Sequence, residues 1–231
     1  MSATRKEVEE KIEKNDLDGL LYLTGLIHGH HCVGSAMGVI AAHYAMKEMG
    51  IKESTGMEHV IALVETNSCF SDGVQLVTGC TFGNNSLVYH DIGKTAFSLV
   101  RRDGNGIRLT RKQDLGDLLK DKRPEALMFS KLVNERDVNP EEEARIIELN
   151  KEHCYRVLEI PAEKIFDVEE VKVDLPGYSR ILGSLVCPSC GEKFMENKAV
   201  KKGDESLCPD CGGEYGVLDW DGINFVCKET E

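Results

Sequence analysis

The chain has 231 residues, 41% of them apolar, with 40 acidic against 28 basic side chains and a formal charge of −12. That length and apolar share support one good core plus a small appendage. The charge argues against general nucleic-acid affinity, and no run approaches the roughly twenty apolar residues of a membrane span.

In chain order, the start Met1-Ser2-Ala3-Thr4-Arg5-Lys6-Glu7 is too charged for a secretory signal. Nine cysteines, with two Cys-x-x-Cys pairs among them, suit metal ligation in a reducing compartment better than a disulfide framework. A cytoplasmic protein is expected. Residues 5 to 26 read as one amphipathic helix with Val8, Ile12, Leu17, Leu20, Leu21, Leu23 and Leu26 on or near one face, delivering the chain to an unusual segment. His28-Gly29-His30-His31-Cys32-Val33-Gly34 packs three imidazoles and a thiol into five positions, and these are the ligand types that zinc and its neighbours prefer. The stretch Cys32 to Met49 is helical by spacing, so the cluster falls at a helix N-terminus, where the dipole favours thiolate. Capping histidines and a small buried thiol are the plain alternative.

A buried strand is expected over His59 to Glu65, then a short helix capped by Asn67 or Ser68 that carries Cys69, Asp72 and Gln75 on one face. Further strands are read at 86 to 90, 96 to 101 and 106 to 110, with Asp103-Gly104-Asn105-Gly106 as a hairpin turn. Helices follow at 115 to 121, 124 to 134 and 140 to 155, the last opened by Asn139-Pro140 and three glutamates. A strand over Ile165 to Val173 and the breaker Pro176-Gly177 read as a connector. At the end, Cys187-Pro188-Ser189-Cys190-Gly191 and Cys208-Pro209-Asp210-Cys211-Gly212 are two knuckles separated by seventeen residues, the spacing of a four-cysteine zinc ribbon or treble-clef-like module. Gly191 and Gly212 are expected to take the left-handed conformation such turns need, and four thiolates leave no open position for catalysis. Cys227 reads as a bystander.

The expected architecture is therefore α+β. A mixed core domain of antiparallel strands and packed helices spans 1–160, a connector 161–185, and a small zinc-ribbon-like domain 186–231. His28, His30, Cys32 and Cys69 are the candidate ligands of a second metal, expected to be zinc. His31 is expected to point elsewhere and His43 to be a satisfied core histidine.

The ordered motifs His28-Gly29-His30-x-Cys32-x-Gly34, Glu65-x-Asn67-x-Cys69-x-x-Asp72-x-x-Gln75-x-x-x-Gly79-Cys80-Thr81-x-Gly83 and Gly93-Lys94-x-Ala96-Phe97 resemble the E-subunit family of formylmethanofuran dehydrogenase over roughly residues 18 to 110. Departures are Val33 where the family often has Pro, Gly73 where it often has Ala, and Gly83-Asn84-Asn85-Ser86-Leu87 in place of a Gly-Lys-Gly-Asn-Leu run. The resemblance implies a dimerising α+β domain with a His/Cys metal pocket, associated by name with molybdenum or tungsten enzymes that reduce carbon dioxide onto methanofuran. Two function classes follow. One is a metalloenzyme or metal-dependent subunit of one-carbon metabolism, with Cys32, Cys69 and Asp72 as candidate catalytic groups. The other is a non-catalytic metal-sensing or assembly protein. Thiol redox chemistry through Cys32 and Cys69 is the third alternative. No phosphate loop, dinucleotide fingerprint or nucleophile elbow defines a substrate.

Overall fold

The computed structural model describes residues 5–54, 56–120, 123, 129–136 and 138–227. They form two compact units, divided between Pro176 and Gly177. The first unit is α+β. It contains helices α1 (Lys6–Lys14), α2 (Leu17–His28) and α3 (Val33–Glu48), strand β1 (Val60–Val64), helix α4 (Cys69–Thr78), and strands β2 (Leu87–Tyr89), β3 (Ala96–Arg101) and β4 (Asn105–Arg111). Short helices α5 (Gly116–Leu119) and α6 (Phe129–Asn134), the long α7 (Pro140–Leu158), the single turn α8 (Ala162–Ile165) and strand β5 (Phe166–Lys172) complete it.

The expected single helix over 5 to 26 is two. Asn15 takes a left-handed conformation at φ 56° and closes α1, and Asp16 opens α2 by accepting from the Gly19 amide at 2.8 Å. A short polar residue that tolerates φ > 0, followed by an N-cap acid, is a stop and a start in succession, which the continuous apolar stripe conceals. α7 begins as expected, with Asn139 and Glu142 forming a reciprocal capping box. The expected helix at 124 to 134 lies partly outside the described residues, and α6 covers its end.

The sheet order is β2-β1-β3-β4-β5, with β1 and β2 parallel and every other pair antiparallel. The parallel pair is linked through α4, as a parallel connection requires. All five residues of β1 are buried. Val60, Ala62 and Val64 join the main helical core, whereas Ile61 and Leu63 join a smaller cluster with Val100 on the other face. Phe166–Lys172, expected in the connector, pairs along its whole length with β4 as the sheet's edge strand.

α3 is the central element, buried along most of its length from Ser35 to Met46. It meets α4 through bare backbone. A Cβ on Gly38 would stand 2.1 Å from the Phe70 carbonyl oxygen, and one on Gly73 2.5 Å from the Ser35 oxygen. These two glycines set the distance between the helices, and that distance sets the site at their N-termini.

The second unit holds three small antiparallel pairs: β6 (Ser184–Val186) with β7 (Lys193–Met195), β8 (Val200–Lys202) with β9 (Glu205–Leu207), and β10 (Glu214–Asp219) with β11 (Gly222–Cys227). A one-turn helix α9 (Pro209–Gly212) carries the second knuckle.

Candidate metal centres

The C-terminal cluster is the simpler of the two. Donor atoms of Cys187, Cys190, Cys208 and Cys211 all lie within 4.8 Å of one another, and the Cys190 and Cys208 sulfurs are 3.9 Å apart. A tetrahedron with metal–sulfur bonds of about 2.3 Å puts its sulfurs about 3.8 Å apart, so this donor set fits a zinc-sized ion. Backbone amides already point at the sulfurs: Cys208 N donates to Cys187 Sγ at 3.4 Å and Cys211 N to Cys208 Sγ at 3.5 Å. The Cys208 amide first, then those of Cys190 and Ser189, pull the Cys187 thiol down to about 6, a poise that suits a ligand thiolate. Gly191 is left-handed at φ 77°, as expected. Gly212 is not: it ends α9, and the left-handed residue is Gly213 at φ 75°. The second knuckle continues one residue further as a helical turn, and Gly212 is needed for closeness instead, because a Cβ there would meet Val200 Cβ at 2.5 Å.

The N-terminal cluster is assembled by three helix ends. α2 terminates at His28, and Gly29 at φ 86° turns the chain so that His30 returns over His28, with ring centroids 4.4 Å apart. Cys32 is the N-cap of α3. Its sulfur accepts from the Ser35 amide at 3.4 Å, while Cys32 N donates to Ser35 Oγ at 3.2 Å. This capping box is built on sulfur, and its Ser three positions on is the sequence signal for it. Cys69 is the first residue of α4, where Ser68 holds the N-cap position without a side-chain cap bond. Gly34 lets the two helix starts meet, since a Cβ there would lie 3.2 Å from Cys69 Cβ.

Ligand atoms of His28, His30 and Cys32 fall within 4.8 Å of one another. His28 Nε2 is 3.7 Å from Cys32 Sγ. Tetrahedral coordination of one nitrogen and one sulfur would separate them by about 3.6 Å, so the pair is already spaced for a shared ion. Cys69 is not among the donors that converge within 4.8 Å, but its thiol is the first influence holding the Cys32 thiol down at about 5, followed by the Ser35 amide and hydroxyl and by His28. The Cys32 side chain, aided by burial, pushes the Cys69 thiol upward.

Asp72 stands behind His28 rather than beside the sulfurs. Its Oδ2 is 2.7 Å from His28 Nδ1, and its Oδ1 accepts from Gln75 Nε2 at 3.2 Å. A carboxylate on Nδ1 fixes the tautomer that presents Nε2 outward, the outer-shell geometry of metal-bound histidines. His31 is turned away: its ring packs against Gly25 and lies 5.8 Å from the Tyr155 ring, and its carbonyl accepts from Asn150 of α7. His43 is buried in α3 with Nε2 3.3 Å from the Ile12 carbonyl oxygen. Sequence reasoning missed Cys154 of α7, a fully buried thiol close enough to feel the Cys32 charge. It also missed that Glu65, buried at the end of β1, is held by Arg108 of β4 at 2.5 and 2.8 Å.

Fold and sites together define an α+β protein with two clusters of metal-ligand side chains, one all-thiolate and one mixed. The family model described as "FmdE, Molybdenum formylmethanofuran dehydrogenase operon" matches residues 27–167, from the last residues of α2 to the start of β5, and the chain belongs to that family. It is 38% identical over 226 residues, 93% of its length, to a "Probable S-adenosyl-L-methionine-binding protein" of Archaeoglobus fulgidus, of which it spans 60%. In fold it is similar to the crystal structure of a tungsten formylmethanofuran dehydrogenase FmdE-like protein from Syntrophus aciditrophicus. That likeness has a TM-score of 0.52 and 24% identity, covering 85% of this chain and 92% of that one.

Proposed function

We propose that the first unit holds a resident metal, zinc by its donor set, through His28, His30, Cys32 and Cys69, and that the four C-terminal cysteines hold a structural zinc. The observation that carries the first half is the convergence of His28, His30 and Cys32 donors within 4.8 Å, with Cys69 brought to the start of α3 across Gly34. A bound metal of this kind would supply a Lewis acid for an oxygen-containing substrate or water. Around it, Asp72 orients His28, Ser35 and the start of α3 hold Cys32 as thiolate, and Cys69 enters by giving up its proton. Family membership supports a role in or beside formylmethanofuran one-carbon metabolism, in contact with molybdenum or tungsten oxidoreductase subunits. Metal analysis of the full-length protein tests the site. Two equivalents are expected in the wild type and one in Cys32→Ala; equal content in both proteins would remove the N-terminal metal.

A homodimer belongs to this proposal, supported by Tyr22, Leu26 and Ile27 of α2, which are 57%, 68% and 58% exposed beside the cluster. Sedimentation at micromolar concentration should give twice the chain mass, and a monomer would contradict it. Among the described residues no helix is long and apolar enough to cross a membrane. The name of the Archaeoglobus relative supports a second ligand reading, S-adenosyl-L-methionine, which equilibrium dialysis with that compound tests.

A further inference from the structure

A second candidate ligand site lies at the far end of α3, about 24 Å along the helix from Cys32 at 1.5 Å per residue. There a cavity of about 450 Å³ opens between α1 and the last turn of α3, lined among others by Glu9, Ile12, Met46, Lys47, Ile51 and Lys52. This is within the range of about 300–1,000 Å³ usual for small-molecule pockets. Glu9 is 3% exposed, and neither of its carboxyl oxygens has a hydrogen-bond partner among the described residues. Buried polar groups are almost always satisfied, because desolvation without a partner is costly. A leucine at this position would suit packing better, since Glu9 lies three residues before the core residue Ile12.

No neighbouring cation is hydrogen-bonded to Glu9. Arg5, one turn earlier, is within electrostatic reach of Glu9 and its Nε is itself buried without a hydrogen-bond partner among the described residues, while its Nη2 donates to the Leu76 and Val77 carbonyls at the end of α4 at 2.9 and 2.8 Å. Lys47 donates to Asn15 Oδ1 at 2.6 Å, and Lys52 is exposed at the rim. The carbonyl end of α3 adds negative partial charge on the same side. Apolar walls from Ile12, Met46 and Ile51 surround the acid.

We propose that this cavity binds a small organic cation with an apolar body, an ammonium carried on an aliphatic or aromatic group, with Glu9 as its counter-charge. The site is independent of the metal clusters. The test titrates the full-length protein with benzylamine and n-butylamine, and with benzyl alcohol as the neutral isostere of the first, following the amides of Ile12, Gly50 and Ile51 by nitrogen–proton correlation spectra. The amines should shift these amides saturably, and the alcohol should bind at least about tenfold more weakly, the value of one charge-assisted hydrogen bond. Glu9→Gln should erase that difference. Lys52→Glu, a surface change that leaves the fold alone, should tighten amine binding about twofold or more. The proposal is overturned by equal binding of amine and alcohol, by amine binding unchanged in Glu9→Gln, or by no shift at millimolar amine. It is also overturned if Lys52→Glu leaves amine affinity unchanged or weaker, a readout that stands even if Glu9→Gln does not fold.

Discussion

Replacing Gly38 by alanine should loosen the first unit and disturb its His/Cys cluster together. The new Cβ would sit 2.1 Å from the Phe70 carbonyl oxygen, 3.0 Å from its carbon and 3.1 Å from Gly73 Cα. Ordinary contact needs about 3.5 Å, so α3 and α4 must separate by more than 1 Å, and the obstructing atoms are backbone that cannot rotate aside. Overpacking of this kind costs about 1–3 kcal/mol, and a rigid backbone clash belongs at the top of that range. Alanine recovers about 1 kcal/mol of helix propensity, leaving a net loss of about 2 kcal/mol. For a unit of this size that lowers Tm by about 4–8 °C. Because Cys32 and Cys69 begin these two helices, metal retention against a chelator should fall with Tm. Gly83→Ala is the control, with nothing within 4 Å of its new Cβ. A Gly38→Ala protein with wild-type Tm and wild-type metal retention would refute the claim that glycine contact sets the spacing of the site.

If the four cysteines hold the structural zinc proposed for them, Cys190→Ser or Cys208→Ser should lower the metal content by one equivalent and leave the second unit open to protease while the first unit melts as before; unchanged protease resistance would contradict a structural metal. Asp72→Asn should weaken N-terminal metal affinity by about 10–100-fold in chelator competition, and unaltered affinity would show that the His28 contact does not orient a ligand. Arg108→Met should cost about 3 kcal/mol in denaturant unfolding at neutral pH, because it strands the buried Glu65 carboxylate. Arg108 holds Glu65 below the usual carboxylate range, so this pair's contribution is present above about pH 4.5 and is lost as pH falls through the lowered native value. The gap between wild type and variant should therefore close on acidification, and a gap constant with pH would count against the pair.

What is legible in the sequence, and what is hidden there, follows from how local each feature is. The two knuckles and the His28 to Cys32 run are contiguous, so their chemistry is readable from spacing. The meeting of Cys32 with Cys69 can be anticipated because a buried strand followed by a capped helix has few ways to return. The role of Asp72 cannot. On its own helix it shares a face with Cys69 and Gln75, and its bond to His28 comes from the packing of α4 against α2, 44 residues apart in sequence. Cys154 enters the same way, from α7, with no local pattern to mark it. The break at Asn15-Asp16 is hidden by an apolar stripe that runs through it, although the αL-tolerant Asn and the N-capping Asp are both in view. β5 is recognisable as a strand but not as part of the sheet, because its exposed, charged residues suit an edge as well as they suit a linker.

The central claim is that the first unit carries its own metal, distinct from that of the four-cysteine module. An anomalous difference map at the zinc edge, from crystals of the full-length protein, tests it most directly. The account predicts two peaks per chain, one enclosed by Cys187, Cys190, Cys208 and Cys211, and the other about 2.0–2.3 Å from His28 Nε2 and the Cys32 sulfur, with His30 and Cys69 in its shell. A single peak at the C-terminal cysteines, with His28 and Cys32 well ordered and bare, would contradict it.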